Sequence, residues 1–212
     1  MVTIHVKRSE DQFILDNPTI RGFIDAVNEI RFKGLEASAT VAAIRPHFAE
    51  LLADKTWLPE MYQEPGAESG MGSGTGMWLL YRAGDEGLAF SSLVLKPGMS
   101  TPVHDHLAWG LVGLYRGLQD EVVYRREDDA AAEAEARLTV TERNALTPGD
   151  FYELMPENDI HNVTTTSDVT SVSLHLLGND NGCIWRHRFY PDEGRVEPFR
   201  SGYVNMDCDS HA

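Results

Sequence analysis

A chain of 212 residues, 42% of them hydrophobic, can bury a full core and form a single domain, and no apolar run of about 18 residues offers a membrane span. Its 18 basic and 33 acidic residues leave a formal charge of −15, which repels phosphate backbones and excludes nucleic acid as an expected partner. Met1-Val2-Thr3-Ile4-His5-Val6-Lys7-Arg8 has no apolar stretch behind it, so a cytoplasmic location is expected; Cys183 and Cys208, far apart and without metal-ligand spacing, suggest neither a disulfide framework nor a zinc ribbon.

From about residue 19 to 60 the pattern is helical. Ile20, Phe23, Ile24, Val27 and Ile30 form one apolar stripe, and Val41, Ile44, Phe48, Leu51 and Leu52 form a second. Pro46 falls inside the second and predicts a kink or two short helices. Residues 65–76, rich in glycine and serine, read as a loop. Strands are predicted over 77–82, 88–96, 108–115, 121–125, 138–141, 151–154, 161–166, 172–177 and 184–190, with turns at Pro97-Gly98, Arg116-Gly117 and Pro148-Gly149. The acidic stretch 127–136 reads as a solvated connection. The expectation is a mainly β, antiparallel sandwich or barrel over residues 76–205 with an α-helical N-terminal cap over 1–64.

Two strings carry the chemistry: Gly98-Met99-Ser100-Thr101-Pro102-Val103-His104-Asp105-His106 and Pro156-Glu157-Asn158-Asp159-Ile160-His161. On a strand, residues i and i+2 share a face, so His104 and His106 can offer two imidazoles to one point, with His161 as the third. Three imidazoles with open coordination positions suit a transition metal that also binds a substrate or oxygen. A lone histidine is more often a surface or core residue; the framing glycines and prolines favour the metal reading. The two strings resemble the paired motifs of the cupin superfamily, which implies a double-stranded β-helix (jelly-roll) barrel holding a metal in its mouth.

Cupins commonly carry a glutamate ligand at the position of Gly110, and no acid follows His106 on this strand. The chain thereby resembles the thiol dioxygenases, the cysteine and 3-mercaptopropionate dioxygenases, which use three histidines. It also shares with them the helical N-terminal region, His104-Asp105-His106 and Val172-Ser173-Leu174-His175-Leu176. The resemblance implies an iron(II) site, or one for another divalent transition metal, on His104, His106 and His161. It implies that a small carboxylated thiol and O₂ are converted to a sulfinate.

By strand parity Ser173, His175 and Leu177 share one face, and a hydroxyl-to-imidazole bond can fix the His175 tautomer beside the metal; the plain alternative is a core histidine. The family's tyrosine is here Leu177, and its crosslinking cysteine is Gly110, so no such crosslink can form. Gly110 either leaves room beside the metal or lets the barrel bend. Tyr190 or Tyr203 could stand in for the missing tyrosine. Trp78 occupies the position of the family's carboxylate-binding arginine. Arg82, on the same strand and by parity on Trp78's face, is the first candidate to clamp a substrate carboxylate, with Arg116, Arg125, Arg186 and Arg188 behind it. Trp109 and Trp185 could wall the pocket; His5, His47, His187 and His211 are assigned no role. The competing functions are cleavage of a carbon–carbon bond in a β-dicarbonyl or enolic substrate, non-redox metal isomerisation, and small-molecule sensing.

Overall fold

In the computed structural model, residues 10–66, 71–72, 74–128, 134–156 and 159–208 are described. They form helices α1 (Pro18–Arg31) and α2 (Ala37–Ala53). The strands are β1 (Gln12–Phe13), β2 (Thr75–Arg82), β3 (Ala89–Leu95), β4 (Val103–His104), β5 (Gly110–Arg116), β6 (Gln119–Arg126), β7 (Leu138–Leu146), β8 (Phe151–Leu154), β9 (Ile160–Thr165), β10 (Ser171–Leu177), β11 (Arg186–Tyr190) and β12 (Arg195–Phe199). One six-stranded sheet runs β1-β2-β3-β10-β5-β8 and the other β12-β11-β4-β9-β6-β7, with antiparallel pairing throughout. Strands β3-β10-β5-β8 facing β4-β9-β6-β7 have the order of a two-sheet jelly roll, the mainly β architecture expected. Among the described residues no ladder joins one sheet to the other, so the body is an open-edged sandwich.

The first sheet is buried on both faces. Its outer face offers Leu80, Tyr81, Phe90, Val94, Leu111, Val172, Leu174 and Leu176, which merge with Ile20, Phe23, Ile24, Val27, Ile44, Phe48 and Leu52 of the helices into one apolar layer. The entry to α1 is set locally: Asn17 accepts a hydrogen bond from the Ile20 N–H at 2.9 Å and Pro18 opens the helix. The expected break at Pro46 does not occur, and α2 passes through it. Pro46 and Ala42, whose carbonyl would have been its partner, lie on the exposed side, while Ile44 and Phe48 anchor the buried side.

Between the sheets the lining is mixed. Met77, Leu79, Ala89, Leu93, Leu95, Val163, Phe199 and Tyr203 fill one end; Val112, Leu154 and Leu177 form a second apolar cluster; buried polar side chains lie among them. Several of these close on one another, with Gln119 Nε2 donating to Ser171 Oγ at 2.9 Å and the Thr165 and Ser171 hydroxyls 2.6 Å apart. His5 and His211 lie outside the described residues, as do parts of the 65–76 and 127–136 stretches. Where the latter stretch is described it is tied in, Asp128 pairing with Arg126 and Ala136 being buried.

The cysteines correct another expectation. Cys183 and Cys208 form a disulfide, their Cα atoms 5.1 Å apart. Sequence distance hid this, because the C-terminal segment returns to the sandwich: the Val204 N–H donates to Met77 O at 2.8 Å, and the Asn205 amide pairs with both the N–H and the carbonyl of Leu79 at 2.9 Å. Closing a 25-residue separation removes chain entropy from the unfolded state. Replacing both cysteines by serine is expected to lower unfolding free energy by about 3 kcal/mol. Urea unfolding of oxidised and reduced wild-type protein beside the variant checks this, and coincident curves would contradict it.

Candidate metal centre

The antiparallel register of β4 and β9 sets His104 directly opposite His161, so two imidazoles meet on one face from different strands. His106 arrives differently from the expectation. Strand β4 ends at His104, and the chain turns at Leu107, whose φ of 55° lies in the left-handed region. The turn is held from several sides. Asp159 Oδ2 accepts from the His106 and Leu107 N–H groups at 3.0 and 2.8 Å, the amides of Asn179 and Asn181 each donate to His106 O at 3.0 Å, and Arg186 Nη1 donates to Asp105 O at 2.7 Å. Hydrogen bonding through the turn replaces strand parity as the cause of convergence.

The ligand atoms of His104, His106 and His161 all lie within 4.8 Å of one another, and all three residues are buried. Each imidazole is engaged through Nδ1: His104 with Pro102 O at 2.8 Å, His106 with Asp159 O at 3.0 Å, and His161 with Glu121 Oε1 at 2.7 Å. Carbonyl and carboxylate oxygens can only accept, so these contacts place a proton on Nδ1, the arrangement in which Nε2 is the nitrogen available to a metal. Burial first, with the surrounding imidazoles and Arg186 after it, holds His104 and His106 well below the ordinary histidine range, which keeps them neutral and ready to bind a metal. This donor set fits a divalent transition ion.

Carboxylates close to the histidines point elsewhere. Asp105 accepts from the His187 N–H at 2.8 Å and lies 2.6 Å from His187 Nδ1; Asp159 is taken by the turn, and Glu121 lies behind His161. Glu121 and Tyr152 did not emerge from the sequence, and His187, assigned no role there, is the partner of Asp105. The Tyr152 hydroxyl lies 3.3 Å from His161 Nδ1, beside the Glu121 carboxylate that this nitrogen meets. Burial, reinforced by Glu121, holds its phenol well above 10, so it stays a donor. A legible trace of Glu121 did exist, since parity places it with Val123 on one face of the predicted strand, but an acid at a strand start reads first as solvated.

On β10, Ser173 Oγ lies 3.0 Å from His175 Nε2, and both residues are buried. Burial first, then the fields of His161 and Arg186, pushes His175 down to about 3. The room expected beside Gly110 is filled. Gly110 pairs with Leu177, and a Cβ added at Gly110 would lie 2.4 Å from Leu177 Cδ2 and 2.7 Å from Leu176 O. The glycine is needed for that close approach.

Arg82 does not share Trp78's face. An irregularity between Leu79 and Tyr81 reverses the parity: Trp78 packs against Tyr62 on the helix side, while Arg82 is buried with Nη1 at 3.0 Å from Asp180 Oδ2 and Nη2 at 2.7 Å from Gln12 Oε1. Arg186 is buried over the Phe199 ring and bonded to Asp105 O, Asn181 O and Ser201. Arg116 and Arg125 pair with Glu60 and Glu127, and Arg188 lies over Tyr190. Tyr190 bonds Glu197 and Tyr203 bonds Asp180, whereas Tyr152 is the tyrosine brought to a ligand histidine. Trp185 is 65% exposed, and Trp109 packs on the helix-side layer.

No family model matches the chain. Among solved structures it is similar to a cupin 2 conserved barrel domain protein from Salinispora arenicola CNS-205, with 19% identity over 44% of this chain and 65% of that one, at a TM-score of 0.33. It is also similar to a recombinant oxalate oxidase in complex with glycolate, with 12% identity over 56% and 58% of the two chains at 0.42. A third is Peruvianin-I, a cysteine peptidase from Thevetia peruviana latex, with 20% identity over 60% and 78% at 0.42. The chain thus spans less than two thirds of the first two. Strand order, rather than these partial likenesses, identifies the architecture.

His161→Ala removes one of three donors from a site built on an independent apolar core. Metal content is expected to fall steeply while circular dichroism stays unchanged. Retained metal would contradict the ligand set. A second expectation concerns pH. His175 refuses, when folded, the proton that an unfolded chain takes up below about 6.5. Stability of the metal-free protein should therefore be full above that pH and be lost as pH falls from there toward 3, with a shallower loss in His175→Gln. Parallel urea titrations at several pH values measure the difference in slope.

Proposed function

We propose that this chain is an iron(II)-dependent dioxygenase that oxidises a small carboxylated thiol to its sulfinate, R–S⁻ and O₂ giving R–SO₂⁻. The observation that carries the reading is a buried three-histidine donor set from which every neighbouring carboxylate is turned away. Iron(II), when bound, would supply the redox chemistry and a thiolate-binding position. The protein's part is positioning and exclusion. Ser173 fixes His175 through Nε2, and the low proton affinity of His175 makes it a neutral hydrogen-bonding group. Leu177, Val112 and Leu154 form an apolar wall on the same sheet. The three histidines are each no more than 2% exposed, which favours small substrates. Leu177 has no hydroxyl to steer a substrate amino group, so L-cysteine is a poor fit.

An acidic substrate anchored on Arg82 would have to compete with Asp180 and Gln12 for the guanidinium. No helix of the described residues is long and apolar enough to cross a membrane. In the cytoplasm, the setting we favour, the Cys183–Cys208 bond would face reducing thiols.

Oxygen consumption and sulfinate formation by the iron(II)-loaded protein, under matched concentrations of 3-mercaptopropionate, mercaptosuccinate and L-cysteine, test the proposal. Both carboxylated thiols without an amino group are expected to exceed cysteine. Ser173→Ala should keep its metal and lose about 10–100-fold in turnover. Oxygen uptake with a β-dicarbonyl but none with thiols would move the assignment to carbon–carbon cleavage, and preference for cysteine would sink the specificity argument.

A further inference from the structure

The three histidines are not held alike. His104 and His106 face backbone carbonyls, which carry no net charge, whereas His161 faces the Glu121 carboxylate at 2.7 Å, with each of those two side chains only 1% exposed. Register delivers this contact. On the β6–β9 ladder Val123 stands opposite His161 and Glu121 opposite Val163, so Glu121 is the diagonal neighbour of His161 on the inward face.

Two further elements converge on the same carboxylate. Asn144, directly opposite on β7, donates through Nδ2 to Glu121 Oε2 at 3.0 Å. Tyr152 reaches across from β8 in the other sheet, its hydroxyl 3.3 Å from His161 Nδ1 and beside the Glu121 carboxylate. Asn144 and His161 therefore hold one acid from two strands, with the Tyr152 hydroxyl beside them from a third. Burying a carboxylate is costly unless it is paired, and an apolar or amide side chain at this position would avoid that cost.

We propose that Glu121 is a positioning residue that supplies, from behind His161, the negative charge that the all-imidazole donor set lacks, with Tyr152 as the clamp that fixes its orientation. The charge, transmitted through the Nδ1 hydrogen bond, strengthens retention of a divalent ion by His161. Tyr152 and Asn144 hold the carboxylate where it meets Nδ1, so the acid acts through the imidazole and not as a ligand.

The probe is zinc alone. Dissociation constants are measured by chelator competition on metal-free wild type, Glu121→Gln and Tyr152→Phe, and the histidine Nδ1 proton resonances are recorded in the zinc-loaded proteins. Glu121→Gln keeps an oxygen for Nδ1, with the Asn144 amide free to turn, but loses the charge. Zinc binding is expected to weaken by about 10–100-fold, and the His161 resonance to move upfield while those of His104 and His106 stay. Tyr152→Phe should move both readouts the same way by less. Unchanged affinity, or weakened affinity with an unmoved His161 resonance, would overturn the proposal by reducing Glu121 to a structural acid. Should Glu121→Gln not fold, Tyr152→Phe decides alone, and wild-type affinity and resonance in that variant would overturn it. Neither thiol nor oxygen enters the measurement, so its outcome is separate from the assignment of the reaction.

Discussion

Each of the three imidazoles is tied through Nδ1, and the position of that partner determines what the surrounding sandwich must do. Pro102 O lies two residues before His104 on the same approach, Asp159 O two residues before His161, and Glu121 on the next strand of the same sheet. A shift of one residue in the β4–β9 or β6–β9 ladder would turn these groups to the opposite face and leave several polar groups buried without partners. The metal-binding geometry and the strand register are therefore one constraint.

Strand β10 carries that constraint to the rest of the chain. Val172, Leu174 and Leu176 enter the layer beneath α1 and α2, while Ser171, Ser173 and His175 face the interior. Alternation on one central strand thus couples the helical layer to the polar interior: the apolar contacts fix β10, and β10 fixes His175. Gly110 and Leu177 continue the pairing, with Leu177 occupying space that any side chain at residue 110 would need.

The predicted strands correspond to β2, β3 and β5–β11 because period-two alternation survives over five or more residues in most of them. The two-residue strands β1 and β4 have no period to detect, and β12 carries Pro198 and Glu197 at a sheet edge. His104, His106 and His161 were legible from their framing residues; the turn at Leu107 was not, since it depends on Asp159, Asn179 and Asn181 arriving from other segments. Arg82 was assigned to the wrong face because one irregularity in β2 reverses parity without any glycine or proline to announce it. Glu121 and the disulfide share a cause: both are long-range pairings whose partners lie 40 and 25 residues away.

Charge balance inside the sandwich gives the metal site a reason beyond its ligands. Among the described residues the buried ionisable acids are Asp105, Glu121, Asp159 and Asp180, and the buried guanidiniums are Arg82 and Arg186. Arg82 neutralises Asp180 directly, and Arg186 bonds only neutral oxygens while acting on Asp105 and Asp159 through space. Burial lifts Asp159 only to about 6, so near neutral pH it is largely ionised. Held neutral by burial, His104, His106 and His175 bring no positive charge to this interior, and no guanidinium bonds Glu121, so low-permittivity surroundings make its carboxylate costly to bury. A divalent cation on His104, His106 and His161 would offset buried negative charge of this kind. The acids that are barred from coordinating the ion are thus the groups whose charge favours its presence.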